Sequence, residues 1–83
     1  MAEKIKIEVR LFANLRERFP KESRGVKEFE VPEGFSIDEL VDLIGEIDRS
    51  TVIILKNGRR EKDFEKKLKS GDRIALFPPV GGG

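Results

Sequence analysis

Ile37, Leu40, Val41, Ile44 and Ile47 recur at helical spacing, and no other part of the chain offers so large an apolar helical face. Residues spaced this way fall on one stripe, which must be buried against another layer. Ser36-Ile37-Asp38-Glu39 opens the stripe and fits a capping box. The Ser36 hydroxyl can accept a first-turn N–H, and the Glu39 carboxylate can reach back to the Ser36 N–H. Asp38 and Glu39 also suit the positive end of the helix dipole. Phe35 stands where a hydrophobic staple would pack on Leu40. With one such helix in 83 residues, near the lower limit for a single core, the remaining chain has to supply the layer it covers.

That remainder reads as strands. In Lys4 to Phe12, Ile5, Ile7, Val9 and Leu11 alternate with charged residues, so one face of the strand is buried. Phe12 breaks the alternation and points to the other face. Ala13 to Phe19 makes one or two helical turns, with Leu15 and Phe19 on one side, and Pro20 stops them. Lys27 to Val31 forms a second strand with Phe29 and Val31 inward, ended by the turn Pro32-Glu33-Gly34. Thr51 to Leu55 is apolar on both parities, as expected of a strand buried on both faces or deep in the sheet. Asn57-Gly58 makes a type I′ hairpin turn, and Arg59 to Lys62 is a short return strand whose charges protect an edge. Phe64 and Leu68 pin an irregular segment to the core. Ser70-Gly71-Asp72 turns into a last strand, Arg73 to Phe77. The expectation is an α+β roll, one helix on a mixed sheet of about five strands.

Composition removes several function classes. Net charge of +1 lacks the one-sided basic excess of a dedicated nucleic-acid binder. With no Cys and no His, disulfides, thiolate nucleophiles, the commonest general base and most zinc sites are gone. No metal site, bound cofactor or independent enzyme activity is expected. No apolar run is long enough to cross a bilayer and no signal peptide is visible, so no membrane association and a cytoplasmic location are expected. Abundant Lys, Glu and Arg without Gln lean towards a thermophilic source; the fragile pair Asn57-Gly58 points the other way.

The last residues are of a different kind. After the apolar run Ile74 to Phe77 come Pro78-Pro79-Val80-Gly81-Gly82-Gly83. Two prolines bias the path towards an extended stem, and three glycines follow with no side chain to pack. Fully extended, these residues reach about 20 Å from the body. The division expected is a folded body at 1–77 and a flexible tail at 78–83. The tail is either a disordered remnant or a stiff stem that delivers a bare carboxylate into a partner's active site. Phe12 and Phe77 sit at strand ends, off the main inward parity. They belong either to the core or to an exposed apolar patch, and such patches commonly mark partner surfaces.

The element order, Leu11-Phe12-Ala13 with Arg16 after the first strand, Asn57-Gly58, Gly71-Asp72 and the ending Phe77 to Gly83 together resemble the ubiquitin-like β-grasp sulfur carriers of the MoaD/ThiS superfamily. Within them the likeness is greatest to the MoaD family, the small subunit of molybdopterin synthase, and it covers the whole chain. Family tails read Phe-Pro-Pro-Val, one small residue, then Gly-Gly. Here Gly81 takes the small-residue place, and Gly82 and Gly83 are the terminal pair.

The resemblance implies that an E1-like, MoeB-type enzyme uses ATP to adenylate the Gly83 carboxylate. A partner persulfide then displaces AMP, leaving a thiocarboxylate that donates sulfur to molybdopterin, the molybdenum or tungsten cofactor. The larger, MoaE-type subunit would hold the pterin precursor and do the catalysis, leaving this chain as co-substrate. Pro78, Pro79 and Val80 would aim the terminus, and Gly81 and Gly82 would give access to it. Phe12 and Phe77 would form the partner interface with Arg16 at its rim, although Arg16 by itself reads as a solvated charge. Three alternatives share the same residues: a ubiquitin-like modifier joined to lysines through Gly83, a carrier for thiamine or tRNA thiolation, and a non-reactive interaction module.

Overall fold

A computed structural model describes residues 3–45 and 47–78 of the chain. Strand β1 (Lys4–Leu11) has the alternation expected, with Ile5, Ile7, Val9 and Leu11 buried and the intervening charges largely exposed. It is followed by two 3-10 helices, Ala13–Arg18 and Lys21–Ser23. Leu15 and Phe19 both reach the core from this stretch. Strand β2 (Val26–Pro32) returns antiparallel to β1, pairing Lys4 with Pro32 and Arg10 with Val26. It is one residue longer at each end than the sequence pattern suggests.

Helix α1 (Ile37–Ile44) is capped as its sequence dictates, with both hydrogen bonds of the Ser36–Glu39 capping box in place. Ile37, Leu40 and Val41 are buried against the sheet. The helix stops a turn earlier than the apolar stripe suggests. Gly45 (φ 142°) ends it, where glycine has poor helix propensity and needs no Cβ clearance. A Cβ at Gly45 would also lie 2.6 Å from an Arg18 guanidinium nitrogen. Ile47 therefore lies beyond the helix, yet it still packs half-buried on the core. Arg49 folds the following loop back onto α1 by pairing with both Asp38 and Asp42.

Strand β3 (Ile53–Lys56) starts two residues later than expected. Asp48 captures the intervening chain: its carbonyl accepts from the N–H groups of Thr51 (3.2 Å) and Val52 (3.0 Å), and its carboxylate from the N–H and the hydroxyl of Ser50. Asn57 (φ 53°) and Gly58 (φ 84°) both take the positive φ of a type I′ turn. The return strand β4 is only Arg59–Arg60; Lys62 lies outside it, because the chain turns towards α1. There the carbonyls of Phe64 and Lys66 accept from the N–H groups of Asp38 (2.8 Å) and Ile37 (3.0 Å), satisfying donors at the helix start. Leu68 is buried and Phe64 packs beside it on the core.

Strand β5 (Arg73–Phe77) completes the sheet, whose order is β2-β1-β5-β3-β4. β5 is parallel to β1 and antiparallel to β3, so β2 and β3 are also parallel and α1 is the crossover between them. α1 and the 3-10 helices cover one face, and Ile74 and Leu76 at the sheet centre have no exposed area. The other face is left open. This is the ubiquitin-like β-grasp expected from the sequence. Among the described residues, no helix is long and apolar enough to cross a membrane.

Candidate functional site

An open face makes the parity of β3 decisive. Ile54 is buried under the helix, whereas Ile53 and Leu55 are half-buried and belong to the opposite face. Of the two expectations for this strand, burial on both faces is therefore corrected, while a place inside the sheet is observed, with β5 and β4 on either side. With a single helix only one side of the sheet can be covered, so every second apolar residue of β3 faces away from it.

Registers show what lies beside these residues. Ile53 pairs with Phe77 and Leu55 with Ala75. Across the parallel pair, Arg10 is opposite Ala75 and Leu11 is opposite Leu76, which puts Phe12 one step further on, beside Phe77. The Phe12 N–H donates to the Leu76 carbonyl at 3.1 Å, fixing that step. The two rings stack with centroids 4.2 Å apart and planes only 8° from parallel. Phe12 is 37% exposed and Phe77 half-buried. Of the two readings left open for these rings, the exposed patch is the one observed. Stacking of this kind contributes about 0.5–1.5 kcal/mol beyond area burial and holds both rings flat at the sheet's end.

The patch thus comprises Phe12, Phe77, Ile53, Ala75 and Leu55. The last three were missed from sequence, although the shortage of helical cover was a usable signal. Charges border it: one row across the sheet runs Arg10, Ala75, Leu55, Arg60. The next row carries Glu8 opposite both Glu28 and Arg73. The Glu8–Glu28 repulsion is offset by Arg10, whose Nε donates to Glu8 at 2.7 Å.

Arg16 is exposed and shares a hollow with Phe12, Arg10, Arg24 and Gly25, so the fold does bring it to the patch border. Pro78 leaves β5 from the stacked pair and lines a small hollow with Asn14, Leu15 and Arg18. The remaining tail positions singled out from sequence, Pro79, Val80, Gly81, Gly82 and Gly83, lie outside the described residues. Among the described residues no group of acidic side chains is arranged to hold a metal ion.

Comparison with known proteins bears on this arrangement. The sequence matches the ThiS family over residues 9–83. A putative molybdopterin converting factor subunit 1 from Pyrococcus furiosus is 30% identical, with a TM-score of 0.70 over 92% of this chain and 99% of that one. The crystal structure of SAMP1 from Haloferax volcanii is 26% identical, TM-score 0.73, covering 94% of this chain and 99% of that one. Subunits 1 and 2 of the molybdopterin-converting factor of Helicobacter pylori have been solved as a complex; the matching chain is 26% identical, TM-score 0.60, over 95% of this chain and 100% of its own. No curated protein matches the sequence. With the fold and the family match in agreement, the chain belongs to the ThiS family, among the small ubiquitin-fold sulfur carriers and modifiers of the MoaD/ThiS superfamily.

Proposed function

We propose that this chain is a sulfur carrier for molybdopterin synthesis and that the carboxylate of Gly83 is its reactive group. The observation that carries the reading is the exposed Phe12–Phe77 stack at the point where Pro78 leaves the sheet. An enzyme that grips this patch holds the root of the tail, so the terminus is presented at a defined distance from the contact. Aromatic residues at the centre of a flat apolar patch are the usual anchors of protein interfaces.

The chemistry follows from a terminus without side chains. A carboxylate is a poor electrophile, and an E1-like, MoeB-type enzyme would activate it with ATP. A Gly83 oxygen attacks the α-phosphorus, pyrophosphate leaves, and an acyl adenylate forms. A partner persulfide attacks the carbonyl carbon and expels AMP. A thiol of the partner then cleaves the resulting acyl disulfide, leaving as a disulfide and releasing the thiocarboxylate with its electron pair. Pro78, Pro79 and Val80 aim the terminus, and Gly81 and Gly82 let an active site close around it. The sulfur then passes to a pterin precursor held by a larger, MoaE-type subunit; a subunit 1–subunit 2 complex exists for the Helicobacter pylori relative. In this reading the chain is the small, non-catalytic subunit.

A second reading is favoured by the likeness to SAMP1, a small archaeal modifier protein. There the adenylated Gly83 would pass to a lysine amine rather than a persulfide. Both fates require activation first. Deleting Gly83 should leave the fold unchanged by circular dichroism and abolish carrier-dependent ATP–pyrophosphate exchange by the cognate adenylating enzyme. Persistent exchange by the truncated chain would overturn the mechanism.

A further inference from the structure

The two 3-10 helices border a cleft of about 400 Å³, lined by Arg16, Lys21, Arg24 and Gly25, with Glu17 its only acid among the described residues. Through Arg16, Arg24 and Gly25 it continues into the hollow that contains Phe12 and Arg10. The side chains of Arg16, Lys21 and Arg24 make no ion pair or hydrogen bond with the described residues. Arg10, by contrast, is engaged by Glu8.

This arrangement is built by the backbone. Arg24 (φ 55°) and Gly25 (φ 81°) are consecutive left-handed residues, which turn the chain back under the first 3-10 helix. A Cβ at Gly25 would meet the Leu11 carbonyl oxygen at 2.6 Å and the Arg16 side chain at 3.0 Å (Cγ) and 3.2 Å (Nε). The Arg16 stem therefore lies directly over Gly25, in the cleft where Arg24 also stands. Two arginines thus line one cleft with no acidic partner engaged among the described residues. They suit a carboxylate, which each can bind with two parallel N–H bonds.

We propose that this cleft receives an acidic side chain of the adenylating enzyme, seated beside the Phe12–Phe77 contact, and that Arg24 with Arg16 thereby selects that partner. The inference rests on the sulfur-carrier or modifier reading, since either fate of Gly83 begins with activation. A protein carboxylate is favoured over a nucleic acid because the cleft is continuous with the apolar patch through Phe12 and the chain's net charge is only +1.

The test is ATP–pyrophosphate exchange by the cognate MoeB-type enzyme, measured against carrier concentration. Arg24→Glu should raise the carrier KM about tenfold or more at low salt, with kcat unchanged and the difference shrinking as salt is added. Arg24→Lys, which keeps the charge but loses the fork, should fall between. Lys69→Glu makes the same change in net charge at the opposite end of the sheet and should leave KM as it is. Circular dichroism on all three variants keeps misfolding apart from lost docking. Equal effects of Arg24→Glu and Lys69→Glu, or none from either, would overturn the assignment. Inorganic phosphate titrating the Arg16 and Arg24 guanidinium NMR signals, with KM unmoved by Arg24→Glu, would give the cleft to a small anion instead. No exchange with the unaltered chain would overturn the activation reading, and the cleft's role with it.

Discussion

Asn57 does more than turn a hairpin. Its side-chain amide donates to Asp72 Oδ1 at 3.0 Å, and its Oδ1 accepts from the Arg73 N–H at 2.9 Å. Its own N–H donates to the Arg73 carbonyl at 2.8 Å. Asp72 is 7% exposed, and its second oxygen accepts from the Lys69 N–H at 2.8 Å. One side chain thus joins the β3–β4 turn to the start of β5. Asn57→Gly keeps the left-handed conformation and deletes both side-chain bonds. A neutral hydrogen bond is worth about 1 kcal/mol, and one to a carboxylate about 1.5–3 kcal/mol. Asn57 is exposed, so water recovers part of this, and the net cost should be about 2 kcal/mol. Asn57→Ala removes the same bonds and keeps the Cβ at positive φ (53°) without the short polar side chain that lets asparagine tolerate it, so it should be worse than glycine by about 1–2 kcal/mol. Urea denaturation at constant m-value gives both numbers directly. In thermal melts each kcal/mol should lower Tm by about 4–8 °C for a domain of this size. A glycine variant within about 0.5 kcal/mol of the parent would refute the clamp.

Other consequences are equally specific. Gly25→Ala should cost at least about 2 kcal/mol, because backbone strain adds to the Leu11 collision, whereas Gly34→Ala, also at positive φ but with nothing within 4 Å, should cost only about 1 kcal/mol by denaturation. Phe12→Ala loses the stack but little core, so the fold should survive. Its carrier KM in the exchange assay should rise about 30-fold, the equivalent of about 2 kcal/mol for an interface anchor. The Ser50 hydroxyl, then its N–H, hold the Asp48 carboxyl below its ordinary 3.8. A lowered folded pKa gives stability that is complete above 3.8 and is lost as pH falls through the lower value. Acid titration of unfolding should show this limb, and Ser50→Ala should flatten it.

Much of the fold was legible because its signals are local. The alternation in β1, the capping box at Ser36 and the Asn57-Gly58 turn each involve neighbours that dictate one another's geometry. Helix length was misjudged because Ile47 keeps helical spacing, and the spacing cannot register that Gly45 ends the helix. The faces of β3 are not legible because Val52 to Leu55 is uniformly apolar. Only the number of covering helices decides which of its residues are buried. The Asn57–Asp72 clamp and the Arg16–Arg24 cleft join residues brought together by tertiary folding, and no spacing rule announces them. At the candidate site, Phe12 and Phe77 were visible as breaks in parity. Their stacking and the contribution of Ile53, Leu55 and Ala75 emerged only with strand order.

The proposed function turns on one atom at Gly83. Intact mass of the chain isolated from cells that also contain its adenylating enzyme and sulfur donor measures it directly. A sulfur carrier yields a species heavier by one oxygen-to-sulfur exchange, localised to the C-terminal peptide beginning at Ile74 and reverting on alkaline hydrolysis. A chain that carries only oxygen at its terminus under these conditions, while the same enzyme forms the acyl adenylate, would contradict it.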